Sequence, residues 1–169
     1  MPTPTKPPCF PDLGNWPDGT TEIRVPSEKL LKAYWDAAIY DPNGVAPANI
    51  ISVSDDFVVC FRVELRGDLW RCMCGEWCFE LGFAPCGKGT GFNLSDYLTG
   101  VDPLHFKNWK GCDTQCIELC ATVPAGTIPA DVCTTMYDVC ATFELRCCDK
   151  PAGVLVGYEA LGPYQFYQS

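Results

Sequence analysis

Histidine is almost missing from this chain: His105 is the only one in 169 residues. Any Ser-His-Asp or Cys-His arrangement would have to use it. It sits in the loop-like stretch Asp102-Pro103-Leu104-His105-Phe106, and no G-x-S-x-G elbow occurs. Asp55 and Asp56 are adjacent, and neighbours on a strand point to opposite faces, so they read as a strand-entry turn and not as a glycosidase pair. Gly87-Lys88-Gly89-Thr90-Gly91 lacks the Walker spacing and the following helix. There is no C-x-x-C, which removes the usual zinc knuckle and the thioredoxin-type redox motif. The expectation is a protein that is not an enzyme and holds no cofactor and no metal. One zinc arrangement stays open, from Cys72, Cys74, Cys116 and Cys120 on adjacent strands.

Positive charge is also short. Twelve Lys and Arg stand against 21 Asp and Glu, for a net charge of -9. Such a chain has no general attraction to nucleic acid or anionic lipid. No run approaches the roughly 18 apolar residues of a membrane span. The start, Met1-Pro2-Thr3-Pro4-Thr5-Lys6-Pro7-Pro8-Cys9-Phe10, has no apolar h-region and reads as no classical secretory signal.

Cysteine, by contrast, is abundant: there are 13. That number points to a disulfide framework formed in an oxidising place, outside the cell or on its surface. The candidates for bridges are Cys60, Cys72, Cys74, Cys78, Cys86, Cys112, Cys116, Cys120, Cys133, Cys140, Cys147 and Cys148. On a strand, Cys72 and Cys74 would share a face, as would Cys116 and Cys120. Several connectivities fit these spacings. An odd count leaves one cysteine without a partner in its own chain, and Cys9 is the candidate for a link between subunits.

Residues 1–26 hold seven prolines and read as an extended arm that cannot be a long helix or a central strand. Residues 27–169 form the domain. Within it, Ser27 to Ala38 reads as one short helix, with Ser27 as cap and Leu30, Leu31, Tyr34 and Ala38 on one face. From Ile50 the period becomes two. Phe57, Val59, Phe61, Val63 and Leu65 make one apolar row, and Trp77, Phe79, Leu81 and Phe83 a second. Arg66-Gly67-Asp68 turns the chain at an expected hairpin tip, where the integrin-recognition tripeptide would be displayed. Leu69 to Cys74 and Glu76 to Phe83 read either as two strands or as one long strand bent at Gly75, and residues 92–113 as a long loop with one short strand. Cys116 to Val123 and Val132 to Cys147 are further strands, the latter with Tyr137, Val139, Ala141, Phe143 and Leu145 on one face. Gly153 to Tyr158 and Tyr164 to Tyr167 read as two last strands, whose aromatics either close the core or stack on a sugar.

Six to eight short strands without interleaved helices give an all-β fold, a two-sheet antiparallel sandwich. The series Cys60, Trp70 or Trp77, and Cys140 resembles the cysteine, tryptophan, cysteine core of the immunoglobulin superfamily; a jelly roll fits the same pattern. That family places a tyrosine two residues before its second cysteine, whereas Tyr137 lies three before Cys140, so its core disulfide is not carried over.

The arm with Cys9, the sandwich and the odd cysteine count together resemble endospore appendage subunits in layout. That resemblance implies N-terminal connector arms and self-assembly into fibres. The sequence-level function is therefore a structural subunit of a disulfide-reinforced, self-assembling extracellular filament, coat or appendage, built from identical chains. The alternative is a monomeric secreted binding module for carbohydrate or a protein ligand.

Overall fold

The structure is a computed structural model that describes residues 20–23, 29–41, 49–72, 74–96, 109–112, 115–146 and 155–169. Two sheets enclose one core. The larger contains β1 (Thr20–Ile23), β3 (Ile50–Ser52), β5 (Cys74–Pro85), β6 (Phe92–Asn93), β7 (Trp109–Cys112), β9 (Met136–Arg146) and β10 (Leu155–Tyr167). The smaller runs β2 (Lys32–Tyr40), β4 (Phe57–Arg66) and β8 (Cys116–Val123), in that order.

The period-two rows seen in the sequence become the inner faces. Phe57, Val59, Phe61, Val63 and Leu65 of β4 are all buried, as are the matching rows of β5 and β9. They meet across the sandwich through rings. Trp35 lies edge-on to Phe143 at 4.9 Å, Phe61 packs on Phe79 at 5.0 Å, and Phe57 faces Phe166 at 6.3 Å. Each aromatic side chain of this kind removes 150–250 Å² from water, and their burial dominates the stability of the fold.

Several elements differ from the sequence-based expectation. The strand expected from Val132 begins at Met136, because Ala130–Thr134 form a 3₁₀ turn, and residues 92–113 contribute two short strands, Phe92–Asn93 and Trp109–Cys112. The short N-terminal helix is not formed over residues 32–38, which belong to β2. Its inward row is Ala33, Trp35, Ala37 and Ile39, all buried, with Lys32, Tyr34, Asp36 and Tyr40 half-buried on the other side and Ala38 buried there too. Full-length pairing with β4 outweighs the helical leaning of the alanines. Residues 70–72 form a single 3₁₀ turn, so Cys72 is off the strand on which Cys74 lies. The two expected C-terminal strands are one strand, β10. A bulge between Ala160 and Gly162 absorbs the irregularity, with Gly162 at φ 87°, a conformation that suits glycine. Finally, the pairing is antiparallel except where β3 runs parallel to the second half of β10.

Of the proposed N-terminal arm, Thr20–Ile23 is described, as β1 paired with residues 155–158 of β10 in the same chain. The remainder, with Cys9, lies outside the described residues, as do Ser27 and His105.

Candidate functional site

Sulfur lies on the outer faces of the sandwich, and the registers explain where. In the small sheet, Leu65 N–H donates to Gln115 O at 2.9 Å, so the odd-numbered residues of β4 make its hydrogen bonds to β8. Cys60 and its register partner Cys120 therefore occupy a non-hydrogen-bonded pair, where side chains stand closest. Their Cα atoms are 4.1 Å apart and the sulfurs are bonded. The bridge lies on the outside of the small sheet. It is a cross-strand staple, not the inter-sheet disulfide of an immunoglobulin core. Cys116, two rows along the same face, is also disulfide-bonded. With Cys116 and Cys120 both oxidised, neither supplies a thiolate to the zinc arrangement left open by spacing. Among the described residues no group of three or more His, Cys, Asp or Glu side chains gathers as a metal site.

The same face carries organised charge. Arg62 and Glu118 are register partners with a 3.5 Å contact that is an ion pair without hydrogen-bond alignment. Glu64 is 3% exposed and accepts from Arg66 Nε at 2.6 Å. Tyr34 lies between two cations, with Lys32 Nζ 5.0 Å and the Arg66 guanidinium 4.9 Å from its ring centre. Such contacts hold long basic side chains in place over the ring. Arg66-Gly67-Asp68 does not project as a free hairpin tip. Leu69 N–H donates to Leu30 O at 2.8 Å, Gly67 sits at φ 104°, and a Cβ there would run into the backbone of Leu30.

On the larger sheet Cys78 and Cys140 point outward from β5 and β9, while Cys86 follows β5 and Cys133 lies on the 3₁₀ turn Ala130–Thr134. All four carry thiols in this structure. Loss of water contact pushes the Cys86 thiol up, and the neighbouring Asp138 carboxylate adds to it. Desolvation and then Asp131 do the same to Cys133. Both thiols are thereby held in their less nucleophilic form. Cys140 Sγ lies 3.4 Å from the Tyr158 hydroxyl, and this contact raises the tyrosine above its ordinary range. Cys74 and Cys112 are register partners between β5 and β7. Cys147 and Cys148 lie outside the described residues.

The C-terminal aromatics divide by the alternation of β10. Tyr164 and Phe166 close the core, while Tyr158 and Tyr167 are exposed on the outer face. At one end of the sandwich, Val53, Ser54, Gly126, Ile128, Pro129 and Gln168 help to line an open depression of about 410 Å³. The β2 edge of the small sheet is tied to the larger one: Ala37 N–H, which points away from β4, donates to the buried Glu159 carboxylate at 3.2 Å. Sequence reasoning had no signal for this contact, which spans 122 residues. No helix among the described residues is long and apolar enough to cross a membrane.

No family model and no curated protein matches the chain. Among solved structures, the C-terminal domain of Wzt superposes with a TM-score of 0.50 at 11% identity, over 90% of this chain and 80% of that one. A Niemann-Pick type C2 protein from the Japanese carpenter ant gives a TM-score of 0.43 at 13% identity, over 78% and 89% of the two chains. The first likeness is one of fold, and it agrees with the registers above: the chain is a two-sheet β-sandwich.

Proposed function

We propose that this chain is a structural subunit of a disulfide-reinforced, self-assembling extracellular filament, coat or appendage. One observation carries the reading: Cys60 and Cys120 are bridged on the outer side of the small sheet, and Cys78, Cys86, Cys116 and Cys140 lie on outer faces or just beyond a strand, while Cys133 packs against the edge of the apolar cluster. Sulfur used as a small hydrophobe would lie inside. Sulfur at the surface is positioned to staple strands within a chain and to bridge between chains. The odd total of 13 leaves at least one sulfur without a partner in its own chain, beside the thiols of Cys86, Cys133 and Cys140. Cys9, on its proline-rich segment, is the proposed intermolecular link. The reading gives the chain no catalytic role.

Electron microscopy and non-reducing gels test this. The expected result is extended assemblies and high-mass ladders that collapse with reductant, and their loss in Cys9→Ser. A monodisperse monomer under oxidising conditions, with Cys9 reduced, would overturn the proposal.

The open depression of about 410 Å³ favours a second reading, a monomeric secreted binding module. Its mark would be a monomer by light scattering whose tryptophan fluorescence or amide exchange changes on adding a sugar or receptor.

A further inference from the structure

Edge strands carry main-chain groups that have no partner within their own sheet, and natural edges are shielded by lysine, proline, a bulge or short length. Most edges of this sandwich are covered. The second edge of β10 carries β1 at one end and β3 at the other, with Pro163 between them. β6 and β7 lie along β5. On the small sheet, β2 is held to β10 through Ala37 and Glu159. β8 is the exception. Among the described residues it pairs with β4 alone, over eight residues and without a bulge. It contains no lysine, arginine or proline.

The register fixes which of its groups face out. Odd-numbered residues of β8 bond to β4, so the N–H and C=O of Glu118, Cys120 and Thr122 point away from it. Among the described residues no main-chain group meets them. Their side chains are exposed on the outer face. The edge is also anchored from behind, since Cys120 is bridged to Cys60 and Glu118 contacts Arg62. A strand already fixed in this way loses little freedom when another strand joins it.

We infer that β8 pairs antiparallel with β8 of a second copy of this chain, so that the two small sheets become one. A strand edge offers N–H and C=O together at each outward residue, and a two-fold axis sets every donor against an acceptor of the other copy. Outward groups must meet outward groups, so even-numbered residues face even-numbered ones. Charge then selects the register. With the axis at Glu118 the two carboxylates are directly opposed, and with it at Leu119 they are diagonal neighbours. With the axis at Cys120, Glu118 faces Thr122 of the other copy, and the two carboxylates stand at opposite ends of the paired segment. Such a pair closes on itself. The inference goes beyond the assembly reading: it gives the subunit a two-copy unit that needs no sulfur, while growth past two copies still requires the link proposed at Cys9.

The test uses the full chain as Cys9→Ser, under oxidising conditions, in a sedimentation series over protein concentration. A reversible two-copy species is expected. Thr122→Lys places an opposite charge at both Glu118 contacts and is expected to tighten the pair by at least about threefold. Thr122→Glu opposes like charges there and is expected to weaken it by a similar factor. Thr122→Pro removes an outward N–H without removing a bond to β4 and is expected to abolish pairing. Circular dichroism and melting show which variants are folded, and the two charge variants carry the test if the proline one is not. A Cys9→Ser chain that stays monomeric at every concentration would overturn the inference, as would a pair that both charge variants leave unchanged. If that chain is monomeric while the parent still builds reducible filaments, the functional reading stands without the pairing. A chain that pairs as expected, from a parent that never grows beyond two copies, upholds the inference and sinks that reading.

Discussion

Removing the Cys60–Cys120 bridge is the most direct probe of how far sulfur holds this fold. The perturbation is Cys60→Ala with Cys120→Ala, which deletes the staple and leaves both strands in place. The bridge closes a loop with a sequence separation of 60. Chain-entropy reasoning assigns such a loop about 4 kcal/mol at 25 °C. The Cys116 bridge remains in the variant; if both its ends lie inside that loop, the figure falls towards about 3 kcal/mol. For a chain of this size a change of 3–4 kcal/mol lowers the melting temperature by about 6–16 °C. Guanidinium titration of the oxidised proteins, followed by tryptophan fluorescence, measures both the stability and its slope with denaturant. The slope is expected to rise in the variant, because its unfolded chain is more expanded. Equal slopes and a loss under about 1 kcal/mol would refute the reasoning. The pair would then be held by the β4–β8 ladder alone.

Two further outcomes follow from the interior. A Cβ on Gly157 would fall within the ring of Phe143, which itself packs against Trp35, Trp77 and Phe79, so Gly157→Ala is expected to cost about 1–3 kcal/mol in a thermal or denaturant melt. Burial first, and then the nearby Asp36 and Glu159 carboxylates, raises the Tyr164 hydroxyl above its ordinary value. The folded state thus holds this proton more tightly than the unfolded chain does. Its contribution is complete below the unfolded value of about 10 and is lost as pH rises through the folded one. Tyr164→Phe is expected to flatten the fall in stability above pH ~10, and an unchanged alkaline melting profile would count against the assignment.

The apolar rows of β4, β5 and β9 were readable because each alternates large side chains with polar ones, and the structure buries the same residues. The row of β2 was not, since two of its four inward positions are alanines that carry little signal, and Leu30, Leu31, Tyr34 and Ala38 imitate a helical stripe. The Gly162-Pro163 pair looks like a chain break, yet a bulge lets β10 run through it. The shared face of Cys116 and Cys120 followed from strand alternation, and both point outward. The bond from Cys120 to Cys60 did not, because β8 pairs with β4 across three intervening strands of the other sheet. Tyr158 and Tyr167 stand out in the sequence as aromatics. That they share a surface with Ile50, Met136 and Val156 depends on register, which local patterns do not encode.

The strand β10 is the partner of β1, β3 and β9. A nascent chain ending before Leu155 can pair β2 with β4 and β8, and β5 with β9, while β1 and β3 have no strand to join. β10 is therefore the seam of the larger sheet, and a break before Leu155 leaves β1 and β3 with nothing to pair with.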